Sequence, residues 1–154
     1  MKKYWIGVDG GGTKTAFGIA GADGVLRGQT ETIGTSYRQY GIPVVVERLK
    51  QGIEACLCAM QAQMQQVAGI CLGLPCYGEN RSQDRLLHTA LAETFASVPF
   101  YLCNDVEVGW AGSLACRSGI NIVAGTGAIA FGRNDAGKTA RCGGWTEFFG
   151  DEGS

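Results

Sequence analysis

Asp9-Gly10-Gly11-Gly12-Thr13-Lys14-Thr15 stands between two apolar, β-prone runs, residues 4–8 and 16–20. Strand, glycine turn, strand is a β-hairpin whose tip carries no side chains, so its backbone N–H groups can close on an anion. Three successive glycines cost more backbone entropy than a two-residue turn requires, and a carboxylate and hydroxyls flank them. The tip therefore asks for a ligand. The helix-linked nucleotide loops are excluded: no G-x-x-x-x-G-K-[ST] occurs, and a strand-like run rather than a helix follows Thr13.

A second glycine tip, Gly125-Thr126-Gly127, lies between the strand-like residues 119–124 and 128–132. By itself it reads as a tight turn in which glycine supplies a positive φ. Paired with the first tip, it implies two hairpins gripping one polyphosphate from opposite sides, as in a nucleotide-dependent phosphotransferase.

Composition narrows the field. With 154 residues, 45% hydrophobic and 18% charged, the chain is globular and has a core. A net charge of −1 with scattered signs gives no footprint for nucleic acid. The apolar run after Met1-Lys2-Lys3 ends at Asp9, too short for a signal sequence or a membrane span, so a cytoplasmic protein is expected. Seven cysteines are then reduced thiols. Their odd number, the lack of C-x-x-C and a single histidine, His88, argue against a disulfide framework or a zinc site.

Along the chain, residues 4–9, 14–20 and 25–32 read as three antiparallel strands and residues 33–40 as a polar loop. A long helix is expected over residues 43–66, from the three- and four-residue spacing of Val45, Leu49, Ile53, Leu57, Met60 and Met64. Residues 67–74 form a continuous apolar run, as in a strand covered on both faces. A helix over 82–96 with Ser82 as N-cap, a strand over 99–103 and a helix over 105–116 follow. The order βββαβαβα predicts an α/β domain of α+β layers over residues 1–117. From residue 119 a hairpin pattern restarts, with strands over 119–124, 128–133 and 138–142. Residues 118–154 are thus expected to open a second such domain, cut short because three strands without a covering helix leave a sheet face bare.

The residues reached so far resemble the sugar-kinase/Hsp70/actin-type phosphotransferases. Within them the chain is most similar to the N-acetylglucosamine kinase and BadF/BadG/BcrA/BcrD-type ATPase family. Asp9 to Thr15, Cys71-Leu72-Gly73-Leu74-Pro75, Asn104-Asp105, Gly125-Thr126-Gly127-Ala128 and the run from Gly143 to Ser154 carry the likeness. It implies two ribonuclease-H-like domains hinged about a cleft for ATP and sugar, with the adenosine-binding motif further along than residue 154.

Carried over position by position, Gly10, Gly11, Gly12 and Thr13, assisted by Lys14, become the first phosphate loop, and Gly125, Thr126 and Gly127 the second. Asp9 becomes the Mg²⁺ residue, acting through water. Asp105 becomes the catalytic base at the head of a helix, where the backbone dipole keeps a carboxylate ionised. Thr35, Ser36, Asp105, Gly144, Trp145 and Asp151 become the sugar-binding set. The match is loose at Thr35-Ser36-Tyr37, and Cys76 and Tyr77 stand where relatives often carry small polar residues.

The expected activity is ATP-dependent phosphorylation of N-acetylglucosamine or glucosamine, with ATP and Mg²⁺ as cofactors, no nucleic-acid or membrane partner, and a homodimer admitted. An ATPase that activates an acyl-CoA reductase or dehydratase through an iron–sulfur cluster stays open, as does a sugar- or nucleotide-sensing module without turnover. Residues 1–154 alone are expected to be inactive.

Overall fold

The computed structural model describes residues 3–124 and 128–144. The chain divides into two compact units, Met1–Asp105 and Val106–Ser154. The division falls at the head of the helix expected to close the first domain, rather than after it.

The first unit is built on a five-stranded sheet of order β3-β2-β1-β4-β5. Its strands are β1 (Tyr4–Gly10), β2 (Lys14–Gly21), β3 (Leu26–Ile33), β4 (Val67–Leu74) and β5 (Phe100–Asn104). β1 to β3 are antiparallel neighbours, while β4 pairs parallel with both β1 and β5. Alternation decides which face is buried: Ile6, Val8, Thr15, Phe17 and Ile19 point inward, whereas Trp5 and Asp9 take the other face. β3 forms one edge and alternates exposed residues such as Arg27 and Glu31 along it, which suits a strand with one open side.

Helix α2 (Ile42–Ala59) lies on the inward face, with Val45, Leu49, Gly52, Ile53, Cys56 and Leu57 buried at helical spacing. Gly52 is required by close packing, since a Cβ there would stand 2.2 Å from the Phe17 ring. Before it, residues 37–40 form a single turn, α1 (Tyr37–Tyr40), inside the segment expected to be loop. Leu87 and Leu91 of α3 (Arg81–Thr94) join the same core.

Two expectations are corrected. The long helix ends at Ala59, not at residue 66: Gln61 adopts φ 49°, Ala62 donates its N–H to the Leu57 carbonyl, and Met64–Gln66 forms a separate 3₁₀ turn. The N-cap of α3 is Asn80, not Ser82, because the Asn80 side-chain oxygen accepts from the backbone N–H groups of both Ser82 and Gln83.

In the second unit, α4 (Asp105–Leu114) continues from the head residue Asp105 of the first, and an antiparallel sheet follows in the order β6-β7-β8. These strands are β6 (Gly119–Ala124), β7 (Ala128–Arg133) and β8 (Thr139–Gly143). Val106, Trp110 and Phe131 make a small separate core, with the two rings 6.0 Å apart and edge to face. The molecule is therefore an α/β protein with a five-stranded and a three-stranded sheet.

Candidate active site

Three parallel strands of the first unit, β1, β4 and β5, end along one edge of the sheet. Their register sets Asp9 beside Gly73, Gly73 beside Cys103, and Leu74 beside Asn104. Ligands of open α/β sheets bind at such carboxyl ends. Two strand spacings of about 4.8 Å separate β1 from β5, so the ends of the two strands lie roughly 10 Å apart on either side of β4.

The hairpin after β1 is fixed from below. Gly11 donates its N–H to the Lys14 carbonyl at 2.8 Å, and Thr35 donates its N–H to the Gly11 carbonyl at 3.0 Å. The hydroxyls of Thr15 and Thr35, both fully buried, meet at 2.9 Å, and Arg48 donates to the Gly34 carbonyl. A Cβ on Gly10 would stand 2.6 Å from the Thr35 hydroxyl, and one on Gly11 2.7 Å from the Lys14 carbonyl, whereas at Gly12 it would meet nothing within 4 Å. Gly10 and Gly11 are thus demanded by the fold, while Gly12 and Thr13 are exposed at the tip. The Lys14 ammonium lies 3.3 Å from Glu31 on β3.

Asp9 is exposed at the mouth of this edge. Partial desolvation by the protein around it pushes its carboxyl pKa up, and the Lys14 charge offsets only part of that. A neighbouring cation would favour its ionised form. Among the described residues no three His, Cys, Asp or Glu side chains converge on a point. A Mg²⁺ here would take one protein carboxylate plus water and phosphate oxygens, a donor set that suits this ion.

On the other side of the edge, Asp105 is half-buried at the head of α4. The preceding Asn104 donates its side-chain N–H to the Tyr77 carbonyl at 2.8 Å. The loop after β4 brings Cys76 alongside: its Sγ lies 3.9 Å from the Ser36 hydroxyl, and the Asp105 charge acts on its thiol. Burial, before the charges of Glu79 and Asp105, pushes that thiol pKa up, so Cys76 presents a neutral SH group.

Of the expected residues, Asp9, Gly10 to Lys14, Thr35, Ser36 and Asp105 all belong to the first unit. Thr35 is turned into the fold, with its hydroxyl on Thr15, and Ser36 is 8% exposed beside Cys76. Gly144 belongs to the second unit, at φ 69°, donating its N–H to the Ala128 carbonyl at 2.8 Å. Gly125, Thr126, Gly127, Trp145 and Asp151 lie outside the described residues. Sequence reading included Thr15 in the glycine motif but did not find its buried bond to Thr35, nor the contacts of the 75–80 loop. The partners are remote along the chain, and only the buried alternation of β2 signalled that Thr15 turns inward.

Residues 6–154 match the sequence profile of the BadF/BadG/BcrA/BcrD ATPase family. The chain belongs to that family. It is 33% identical to the N-acetylmuramic acid/N-acetylglucosamine kinase of Clostridium acetobutylicum, over 99% of this chain and 49% of the relative. It is 29% identical to the N-acetyl-D-glucosamine kinase of Dictyostelium discoideum, over 99% and 50%. Among solved structures it superposes on a Chromobacterium violaceum protein assigned as an N-acetylglucosamine kinase, with TM-score 0.79, 27% identity and coverage of 97% and 52%. The polyphosphate/ATP-glucomannokinase of Arthrobacter, at TM-score 0.62 and 20% identity with coverage of 90% and 61%, shares the fold. This BadF/BadG/BcrA/BcrD-family chain spans about half the length of the curated relatives it matches.

Proposed function

We propose that the protein phosphorylates a hydroxyl of an amino sugar with ATP. N-acetylglucosamine and glucosamine are the first acceptors to consider, with N-acetylmuramic acid added by the name of the Clostridium relative. The observation that carries this reading is the shared edge: a glycine tip with open space at Gly12, a desolvated carboxylate at Asp9 and a helix-head carboxylate at Asp105.

The exposed tip, Gly12 and Thr13, offers backbone N–H groups to the phosphates, with Gly10 and Gly11 shaping the turn beneath it, and Gly125, Thr126 and Gly127 form a second phosphate loop. Asp9 receives the Mg²⁺ that accompanies ATP, which neutralises phosphate charge when bound. Asp105, at the start of α4, takes the proton of the attacking hydroxyl. The new O–P bond then forms as the bond between the γ-phosphorus and the β-bridging oxygen breaks, and ADP leaves. Ser36, Gly144, Trp145 and Asp151 contact the sugar, and Thr35 holds Ser36 in place from behind. Such a reaction is mostly positioning between two domains, 1–117 and the one opening at 118. Among the described residues no helix is long and apolar enough to cross a membrane, and we place the enzyme in the cytoplasm.

The test is ADP release by the full-length gene product with ATP and Mg²⁺. Release should follow the concentration of added N-acetylglucosamine, glucosamine or N-acetylmuramic acid. ATP hydrolysis that ignores all three sugars contradicts the proposal.

A further inference from the structure

The loop between β4 and α3 is held in an unusual backbone shape. Cys76 adopts φ 67° and Gly78 φ 90°. A left-handed cysteine costs energy that glycine would avoid, so the surrounding structure must impose it. Four side chains from three elements do so. The Tyr37 hydroxyl of α1 sits 2.6 Å from the Cys76 carbonyl and 2.9 Å from Asp84 Oδ1 of α3. The other oxygen of Asp84 accepts the Gly78 N–H at 3.2 Å. Arg38 of α1 pairs with Glu79 at 3.0 Å, and Asn104 of β5 donates to the Tyr77 carbonyl at 2.8 Å.

The hydrogen bonds and the ion pair just described all end on residues 76–79 or on α3. They converge on one object, the stretch that sets Cys76 beside Ser36 and within reach of the Asp105 charge. Tyr37 is the pivot. It follows Ser36 directly in the chain, its ring is buried at 4% exposure, and its hydroxyl is shared between the loop and α3. Burial and the Asp84 hydrogen bond push its pKa up, so it stays a neutral donor at any working pH. Asp84 then acts as a double acceptor that ties the start of α3 to both Tyr37 and Gly78.

We infer that Tyr37 and Asp84 are positioning residues that lock the 75–80 loop against Ser36 and Asp105, setting the acceptor side of the site while leaving the nucleotide side alone. The consequence for acceptor affinity rests on the kinase reading above; the locking itself does not.

The experiment compares Tyr37→Phe and Asp84→Ala with the parent in the full-length gene product, by two readouts. The first is the rate at which a water-soluble maleimide labels Cys76, followed by peptide mass spectrometry with Cys76→Ser marking the peptide. Locking predicts labelling several-fold faster in both variants, with the melting temperature lowered by no more than a few degrees. An unchanged labelling rate in both folded variants overturns the proposal. The second readout is kinetic: KM for the amino sugar should rise about tenfold, with KM for ATP within about twofold of the parent. A variant in which KM for ATP rises as much as KM for sugar overturns the acceptor-side assignment. A parent protein that phosphorylates no amino sugar, yet shows the labelling difference, defeats the kinase reading and leaves the locking supported.

Discussion

At the first glycine tip the three glycines answer to different forces. Gly10 and Gly11 are boxed in by the Thr35 hydroxyl and the Lys14 carbonyl, so an added methyl strains the hairpin itself. Gly12 faces open space. Gly12→Ala should therefore leave the melting temperature within about 2 °C while weakening ATP binding several-fold by calorimetry. Gly11→Ala should lower the melting temperature first, and equal loss of stability in both variants would remove the ligand role from Gly12. Asp9 carries the complementary prediction. Its folded-state pKa lies above the unfolded value of about 3.9, so the folded chain binds the proton more tightly. By linkage, stability then falls as pH rises through the window from the unfolded to the folded pKa. Asp9→Asn should raise the melting temperature at pH 7, and the gain should vanish below about pH 4. A destabilised Asp9→Asn at neutral pH would show the carboxylate to be satisfied by the fold and not reserved for a cation. Thr15→Val would strand the buried Thr35 hydroxyl, at a cost of about 1–3 kcal/mol in denaturant unfolding.

The packing of α2 on β2 decides whether the hairpin has a floor. Leu49 and Ile53 are fully buried, and Leu49→Ala should cost about 2–5 kcal/mol in urea unfolding. Loss of the Asn80 cap, as Asn80→Ala, should cost about 0.5–2 kcal/mol. Much of this was legible beforehand. The apolar, β-prone runs on either side of the glycine tip placed β1 and β2, and the continuous apolar run of residues 67–74 announced β4. What was not legible depended on choices that side-chain pattern does not record. The apolar spacing runs past Ala59 to Met60 and Met64, but the helix stops where Gln61 turns left-handed to deliver the chain into β4. Asn80 and Ser82 are equally good caps on paper, and backbone direction alone selected Asn80. The four-residue α1 is too short to show any period. At the site, the glycine tip is a local pattern and Asp105 entered through the family likeness, whereas the tie from Tyr37 joins residues 39 and 47 apart in sequence.

Two units with separate cores, a family profile reaching from residue 6 to 154, and relatives about twice as long together frame what the chain does. All the described parts of the candidate chemistry except Gly144 lie in the first unit, along the carboxyl ends of β1, β4 and β5. The proposed proton-accepting step falls to the carboxylate at the end of β5, so Asp105 is the residue on which the proposal stands. The decisive measurement is ³¹P NMR of the full-length gene product turning over ATP, Mg²⁺ and N-acetylglucosamine, run beside Asp105→Asn. General-base catalysis contributes about 10²–10⁴-fold, so the parent should convert ATP to ADP and a sugar phosphate while Asp105→Asn falls by at least about 100-fold with sugar binding kept. Sugar phosphate formed by Asp105→Asn within about tenfold of the parent rate, or none formed by the parent, would contradict it.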